Sequence, residues 1–137
     1  MTSYKTYLAV LVIAAVGAFW FTPLAAWLAR RWGAMDLPNE RKVHRRPTPR
    51  LGGLAVVLGF CLPWAGLYLL DNPVSLEFQN YERLFLALVL GVFAMLALGI
   101  YDDIKGADAT KKFLVQTMIA VGLWWGGYRI DALDNPW

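Results

Sequence analysis

The chain has 137 residues, of which 58% are hydrophobic and 17% charged, with a mean hydropathy of +0.45 and a net charge of +3. Soluble domains are roughly half apolar and about a quarter charged, so an ordinary soluble domain is excluded and a membrane protein is expected. The single cysteine, Cys61, excludes an intrachain disulfide and a cysteine-based metal site; the single histidine, His44, argues against a histidine-rich one. Any bound metal would use oxygen ligands, which suits Mg²⁺ or Mn²⁺. No nucleic-acid partner is expected.

Four apolar stretches follow in chain order, at about 7–28, 51–70, 84–100 and 113–128. A spanning helix needs about 17–25 apolar residues. The first two meet this, the third is near the limit, and the fourth is short. Lys112 and Arg129 can snorkel outward to extend the fourth, and Trp124, Trp125 and Tyr128 near its end suit an interfacial aromatic belt. The first stretch is too long for the core of a cleaved signal peptide, and no small-x-small cleavage site follows it. The fold class predicted is all-α: a polytopic membrane protein of four transmembrane helices. Gly122 and Gly126 form one small-xxx-small pair, a weak packing signal.

Loop charge sets the orientation. Seven of the thirteen Lys and Arg residues fall between Arg30 and Arg50, and Lys105, Lys111 and Lys112 follow the third stretch. Asp71, Glu77, Glu82, Asp131 and Asp134 lie on the opposite side. The positive-inside rule then puts the loops at about 29–50 and 101–112 in the cytoplasm, with both termini outside.

The first loop combines rigidity with positive charge. Asp36-Leu37-Pro38-Asn39 predicts a turn, and Pro47 and Pro49 predict an extended return to the membrane. Gly52 and Gly53, after Arg50, would let a backbone or a ligand approach closely. A topogenic role, including contact with anionic lipid, and a ligand-binding role both fit these residues. In the second loop Asp102 and Asp103 must sit at the interface or line a polar cavity, because a carboxylate at the bilayer centre costs about 2.5–3.5 kcal/mol. Neighbours on a helix point about 100° apart, so the two need not share one role. A solvated helix exit is the bland alternative.

These segments resemble a known family. Asp36-x-Pro38-Asn39-x-Arg41-Lys42-x-His44-x-x-Pro47-x-Pro49-Arg50-x-Gly52-Gly53 is similar to the first cytoplasmic signature of the polyprenyl-phosphate N-acetylhexosamine-1-phosphate transferases. Asp102-Asp103-Ile104-Lys105-Gly106, then Lys112-Phe113-Leu114-x-Gln116, resembles that family's aspartate-pair signature. The subgroup it looks closest to is the bacterial undecaprenyl-phosphate GlcNAc-1-phosphate transferases; the related enzymes acting on UDP-MurNAc-pentapeptide differ in the first loop. The resemblance implies attack of undecaprenyl phosphate on a UDP-sugar, most simply UDP-GlcNAc. The resemblance also implies release of UMP at the cytoplasmic face of the bacterial inner membrane, in cell-wall or surface-polysaccharide synthesis. It implies Mg²⁺ (or Mn²⁺), with Asp102 and Asp103 as the catalytic carboxylates. Asp102 would activate or position the lipid phosphate, and Asp103 would support the metal. Lys112, with Lys105 or Lys111, would hold phosphate. His44, Arg50, Gly52 and Gly53 would shape the nucleotide-sugar entrance.

Members of that family carry about ten or eleven helices, with a later Asn/Asp-rich loop that supplies a metal ligand and a later histidine-rich loop. Residues 1–137 match only an N-terminal part and are expected to be inactive in isolation. A missing C-terminal portion or a homodimer would complete the site. A non-catalytic four-helix module that binds anionic lipid or a partner chain is the alternative. A small transporter or channel subunit ranks lowest, because the spans hold almost no polar residues.

Overall fold

The computed structural model describes residues 4–38, 46–69 and 80–129. Four helices carry the chain: α1 (Tyr4–Trp32), α2 (Gly52–Leu69), α3 (Glu82–Lys105) and α4 (Ala109–Gly126). Two short strands, β1 (Met35–Asp36) and β2 (Thr48–Pro49), pair antiparallel between α1 and α2, with Met35 opposite Pro49 and Asp36 opposite Thr48. The all-α prediction therefore holds apart from this ladder. Among the described residues, α1 and α3 are long and apolar enough to cross a membrane; α2 and α4 are not among the helices that pass this test.

The helix limits differ from the apolar limits for physical reasons. Hydropathy marks where apolar residues stop, but a helix continues until its backbone is interrupted. α3 runs on past Ile100 to Lys105, where Gly106 with φ of 69° ends it. The second polar loop thus contracts to residues 106–108, because α4 begins at Ala109 rather than near 113. Asp102 and Asp103 are consequently helical. Asp36 also departs from expectation, lying in a strand instead of a turn. Thr48–Pro49 is extended, as the prolines require.

α1 ends on Gly33, whose φ of 73° suits a residue without a Cβ. The Ala34 N–H then donates to the Ala29 carbonyl over 2.9 Å, satisfying one of the carbonyls a helix end leaves open. The Arg50 N–H donates to the Ala34 carbonyl over 3.0 Å and carries the ladder to the start of α2. Ala29, Ala34 and Leu51 are fully buried at this junction, with Leu28, Met35, Leu54, Ile100 and Ile104 packed on them. One small core thus ties the end of α1, the start of α2 and the end of α3 together. Elsewhere the helices present large apolar side chains outward, Phe19 and Trp20 being 78% and 76% exposed.

α1 and α2 cross closely over glycine. A Cβ placed on Gly59 would lie 2.3 Å from the Ala18 nitrogen and 2.7 Å from the Ala14 carbonyl oxygen. Small residues at such crossings let helix backbones touch. The Gly122–Gly126 pair is not a shared packing face: a Cβ on Gly126 would meet Ala87 at 2.7 Å, but one on Gly122 would meet nothing within 4 Å. Gly59→Val should lower the stability of the helix pair by about 1–3 kcal/mol, the usual cost of overpacking. Gly66→Ala, at a position with open space, should be neutral or stabilising by about 0.5–1 kcal/mol. Thermal unfolding in detergent micelles checks both.

Candidate active site

Among the described residues, Asp36, Arg50, Asp102, Asp103 and Lys112 of the two signatures lie around the small core. Arg50 leaves the end of β2 and its Nε donates to Asp36 Oδ1 over 3.1 Å, with Nη2 on the same oxygen as an ion pair. Asp36 and Arg50 therefore clasp the base of the first loop, beside the two-residue ladder. Asp36 was only a turn former by sequence. The signal that would have revealed its partner is strand register, which places it opposite Thr48, two positions before Arg50.

Asp102 and Asp103 lie beyond the apolar run of α3, which stops at Ile100, and their surroundings differ. Asp102 Oδ2 accepts an ion pair from Lys112 Nζ at 2.7 Å, and Oδ1 accepts the Ala107 N–H at 2.8 Å. Its main-chain carbonyl accepts the Gly106 N–H at 2.8 Å. Asp102 thus organises the whole α3–α4 turn. The Lys112 ammonium, then the Ala107 amide, hold its carboxyl below the usual carboxylate range. Asp103 has no hydrogen bond or ion pair among the described residues and is half-buried. Burial, and then the charge of Asp102, push its pKa up, against the opposing pull of Arg50 and Lys112. Arg50 in turn is held protonated by Asp36 first, with smaller help from Asp103 and Asp102.

The other predicted residues divide. Lys112 joins the carboxylates. Lys111 pairs instead with Asp108 at 3.3 Å on an exposed surface, and Lys105, in the last turn of α3, is exposed and makes no ion pair among the described residues. Among the described residues no other backbone approaches Gly52 or Gly53, since a Cβ on either would meet nothing within 4 Å. His44 lies outside the described residues.

An Mg²⁺ ion commonly takes one or two carboxylates together with substrate phosphates and water. Asp103, with a free carboxylate, fits such a ligand, whereas both oxygens of Asp102 are engaged. Among the described residues no group of three or more His, Cys, Asp or Glu side chains could hold a metal by itself. The geometry can thus present one free carboxylate and two cations, Arg50 and Lys112, to a polyanion.

Comparison with known proteins agrees with the two signatures. The chain is 34% identical over 115 residues to a Bacillus subtilis protein named as a probable undecaprenyl-phosphate N-acetylglucosaminyl 1-phosphate transferase, covering 84% of this chain and 29% of that one. It is 34% identical over 134 residues to the decaprenyl-phosphate N-acetylglucosaminephosphotransferase of Mycolicibacterium smegmatis, covering 89% of this chain and 32% of the relative. This chain is a homologue of the polyprenyl-phosphate N-acetylglucosamine phosphotransferases. A protein of the same name from Mycobacterium tuberculosis (strain H37Rv) is 32% identical over 135 residues, or 89% of this chain and 33% of the relative. The homologue thus spans about a third of the length of the curated relatives it matches. No family model and no solved structure matches it.

Two outcomes follow from the site. Asp36→Ala should speed hydrogen exchange at the Arg50 amide by no more than a few-fold, because exposed ion pairs contribute little to stability. Because the Asp102 pKa is lower folded than unfolded, its contribution to stability is present above the unfolded value of about 3.9 and is lost as pH falls through the folded value. Asp102→Asn should therefore lower the unfolding temperature at pH 7, and the difference should vanish in strong acid.

Proposed function

We propose that this chain is the part of a membrane-bound transferase that carries its paired carboxylates, and that the complete site moves N-acetylglucosamine 1-phosphate from a UDP-sugar to a polyprenyl phosphate with release of UMP. One observation carries the reading: the described parts of the two signature segments, far apart in sequence, lie at a single helix junction, with Lys112 paired to Asp102 and Arg50 within electrostatic reach of both aspartates. The names of the relatives support the same reaction class. The further details are also proposals: four spans, both termini outside, the junction facing the cytoplasm at the inner membrane, and a product destined for cell-wall or surface polysaccharide. α2 and α4 have 18 residues each, roughly 27 Å at 1.5 Å per residue. That lies near the lower limit for crossing a hydrocarbon core of about 30 Å.

Each residue has a task in this reading. Both substrates are anions, so their approach needs positive charge. Arg50, aimed by Asp36, and Lys112, held by Asp102, supply it at fixed positions. Fixed charges need no reorganisation as charge shifts on the transferring phosphoryl group. Asp103 is the carboxylate left free to hold Mg²⁺ (or Mn²⁺), with the remaining ligands drawn from outside the described residues and from the substrates. When bound, that ion would offset phosphate repulsion and polarise the phosphoryl group. Asp102 acts through Lys112, as a positioning residue.

The test is a chimera in which residues 1–137 replace the matched segment of the Bacillus subtilis relative. Membranes holding it should form lipid-linked sugar diphosphate and release UMP from UDP-GlcNAc, while membranes holding residues 1–137 alone should not. Asp103→Asn should reduce turnover by about 10²-fold or more, on the scale of lost acid–base or metal chemistry. Asp102→Asn should reduce it by roughly 10- to 100-fold, on the scale of a lost supporting contact. A chimera that inserts and folds yet releases no UMP would overturn the reading.

A further inference from the structure

Exposed aromatic rings mark two levels on the long helices. On α1, Tyr7 and Trp27 are exposed and stand roughly 30 Å apart along the axis, at 1.5 Å per residue. On α3, Tyr81, immediately before the helix, and Tyr101 are exposed, again roughly 30 Å apart at the same rise. The small core joins the ends of both helices, with Ile100 packed on the cluster that contains Ala29, so Trp27 and Tyr101 lie at neighbouring levels. A hydrocarbon layer is about 30 Å thick, and Trp and Tyr gather at its two faces. The rings on two helices thus outline one bilayer.

Two arginines stand about one turn beyond Trp27. Trp20, Leu24, Trp27 and Arg31 recur at helical spacing on one face of α1. All four are exposed, whereas Ala25 and Ala29 on the opposite face are buried. The Arg31 guanidinium lies over the Trp27 ring, 5.3 Å from its centroid, and Arg30 and Trp32 are exposed beside it. Neither guanidinium makes a hydrogen bond or ion pair among the described residues, in contrast to the cations of Arg50, Lys111 and Lys112. Cations in a last turn favour a helix C-terminus. That accounts for their sign, but not for an exposed indole beneath one of them. Resting on the indole aims the Arg31 charge before any ligand arrives, and its N–H fork suits a phosphate.

We infer that the end of α1 is a docking site for an anionic glycerophospholipid, with its headgroup on Arg30 and Arg31, its glycerol level at Trp27 and Trp32, and an acyl chain along Leu24 and Trp20. The inference rests on α1 crossing the membrane and not on the transfer reaction. An indole at the interface places the next turn at the depth of the lipid phosphates. There, two cations with no protein anion favour a lipid of net negative charge over a zwitterionic one. The apolar stripe below them calls for a lipid and not a free anion. The site also lies away from the paired carboxylates: the stripe faces opposite to Ala25 and Ala29, whereas α2, α3 and α4 line the cavity that Asp103 borders.

Photolabelling tests the site with no substrate present. Residues 1–137 are placed in phosphatidylcholine vesicles with a small share of phosphatidylglycerol that carries a diazirine on its headgroup. Label should fall on the segment Leu24–Trp32, at least about fivefold above that left by phosphatidylcholine carrying the same group. Arg30→Gln and Arg31→Gln should each lower it about fivefold, the scale of one cation at an anionic surface. Arg31→Lys, which keeps the charge, should retain most of the label, and Lys5→Gln, at the far end of α1, should leave it unchanged; circular dichroism confirms the helices of each variant. Equal label from the two lipids, or label indifferent to both Gln variants, would overturn the inference. Displacement by less decaprenyl phosphate than unlabelled phosphatidylglycerol would also overturn it, in favour of a polyprenyl lipid. Displacement by inorganic phosphate would overturn it in favour of a free anion. Label from neither lipid would overturn the span together with the site. UMP release by the chimera bears on the transfer reaction alone, so the two readings fail separately.

Discussion

Charge cannot be left stranded in an apolar slab, and the organisation of this molecule follows from how its charges are gathered instead. The long helices keep charged side chains out of their middles, and the two signatures bring theirs to one junction, where α1 ends, α2 begins and α3 ends. The junction closes because its core is made of small or compact side chains. Ala29, Ala34 and Leu51 are fully buried there, and Gly33 lets the chain turn back in a conformation that other residues resist. Around that core Asp36 and Arg50 neutralise each other and Asp102 is tied to a turn, while Asp103 is left without an ion pair among the described residues.

Helical geometry then gives two adjacent carboxylates different roles. A step of 100° along α3 turns Asp102 toward the start of α4, where Lys112 and the Ala107 amide engage both of its oxygens. The same step leaves Asp103 on the stripe of Leu88, Val92, Leu96 and Gly99, which lines an apolar groove of about 430 Å³ between α2 and α3. One carboxylate is held ionised by its partners, and the other is pushed toward its neutral form by burial beside a like charge. A pair of neighbouring acids thus supplies both a structural anchor and a group free for a ligand.

Hydropathy and charge made much of this legible. The four apolar stretches each correspond to a helix, and the clustering of Arg50, Asp102, Asp103 and Lys112 is consistent with the loops predicted to share one face. The helix limits were less legible, because Tyr101–Lys105 are polar enough to resemble a loop yet contain no residue that stops a helix before Gly106. The crossing at Gly59 left no trace in hydropathy, since a close backbone approach depends on what the partner helix presents, here Ala14 and Ala18. Gly122 and Gly126 had the expected spacing, yet only Gly126 meets a neighbour, Ala87.

By itself the sequence determined that this chain is helical and apolar, that its cations and carboxylates fall between the same helices, and which family its signatures resemble. Those properties are local, set by residue type and spacing along one chain. Only the tertiary structure decided that Asp36 serves Arg50, that Lys112 and not Lys111 or Lys105 meets Asp102, and that Asp103 lies at one end of an apolar groove lined by α2 and α3. These depend on distances between elements, which the packing at the Ala29–Ala34–Leu51 core sets and no spacing within a single segment encodes.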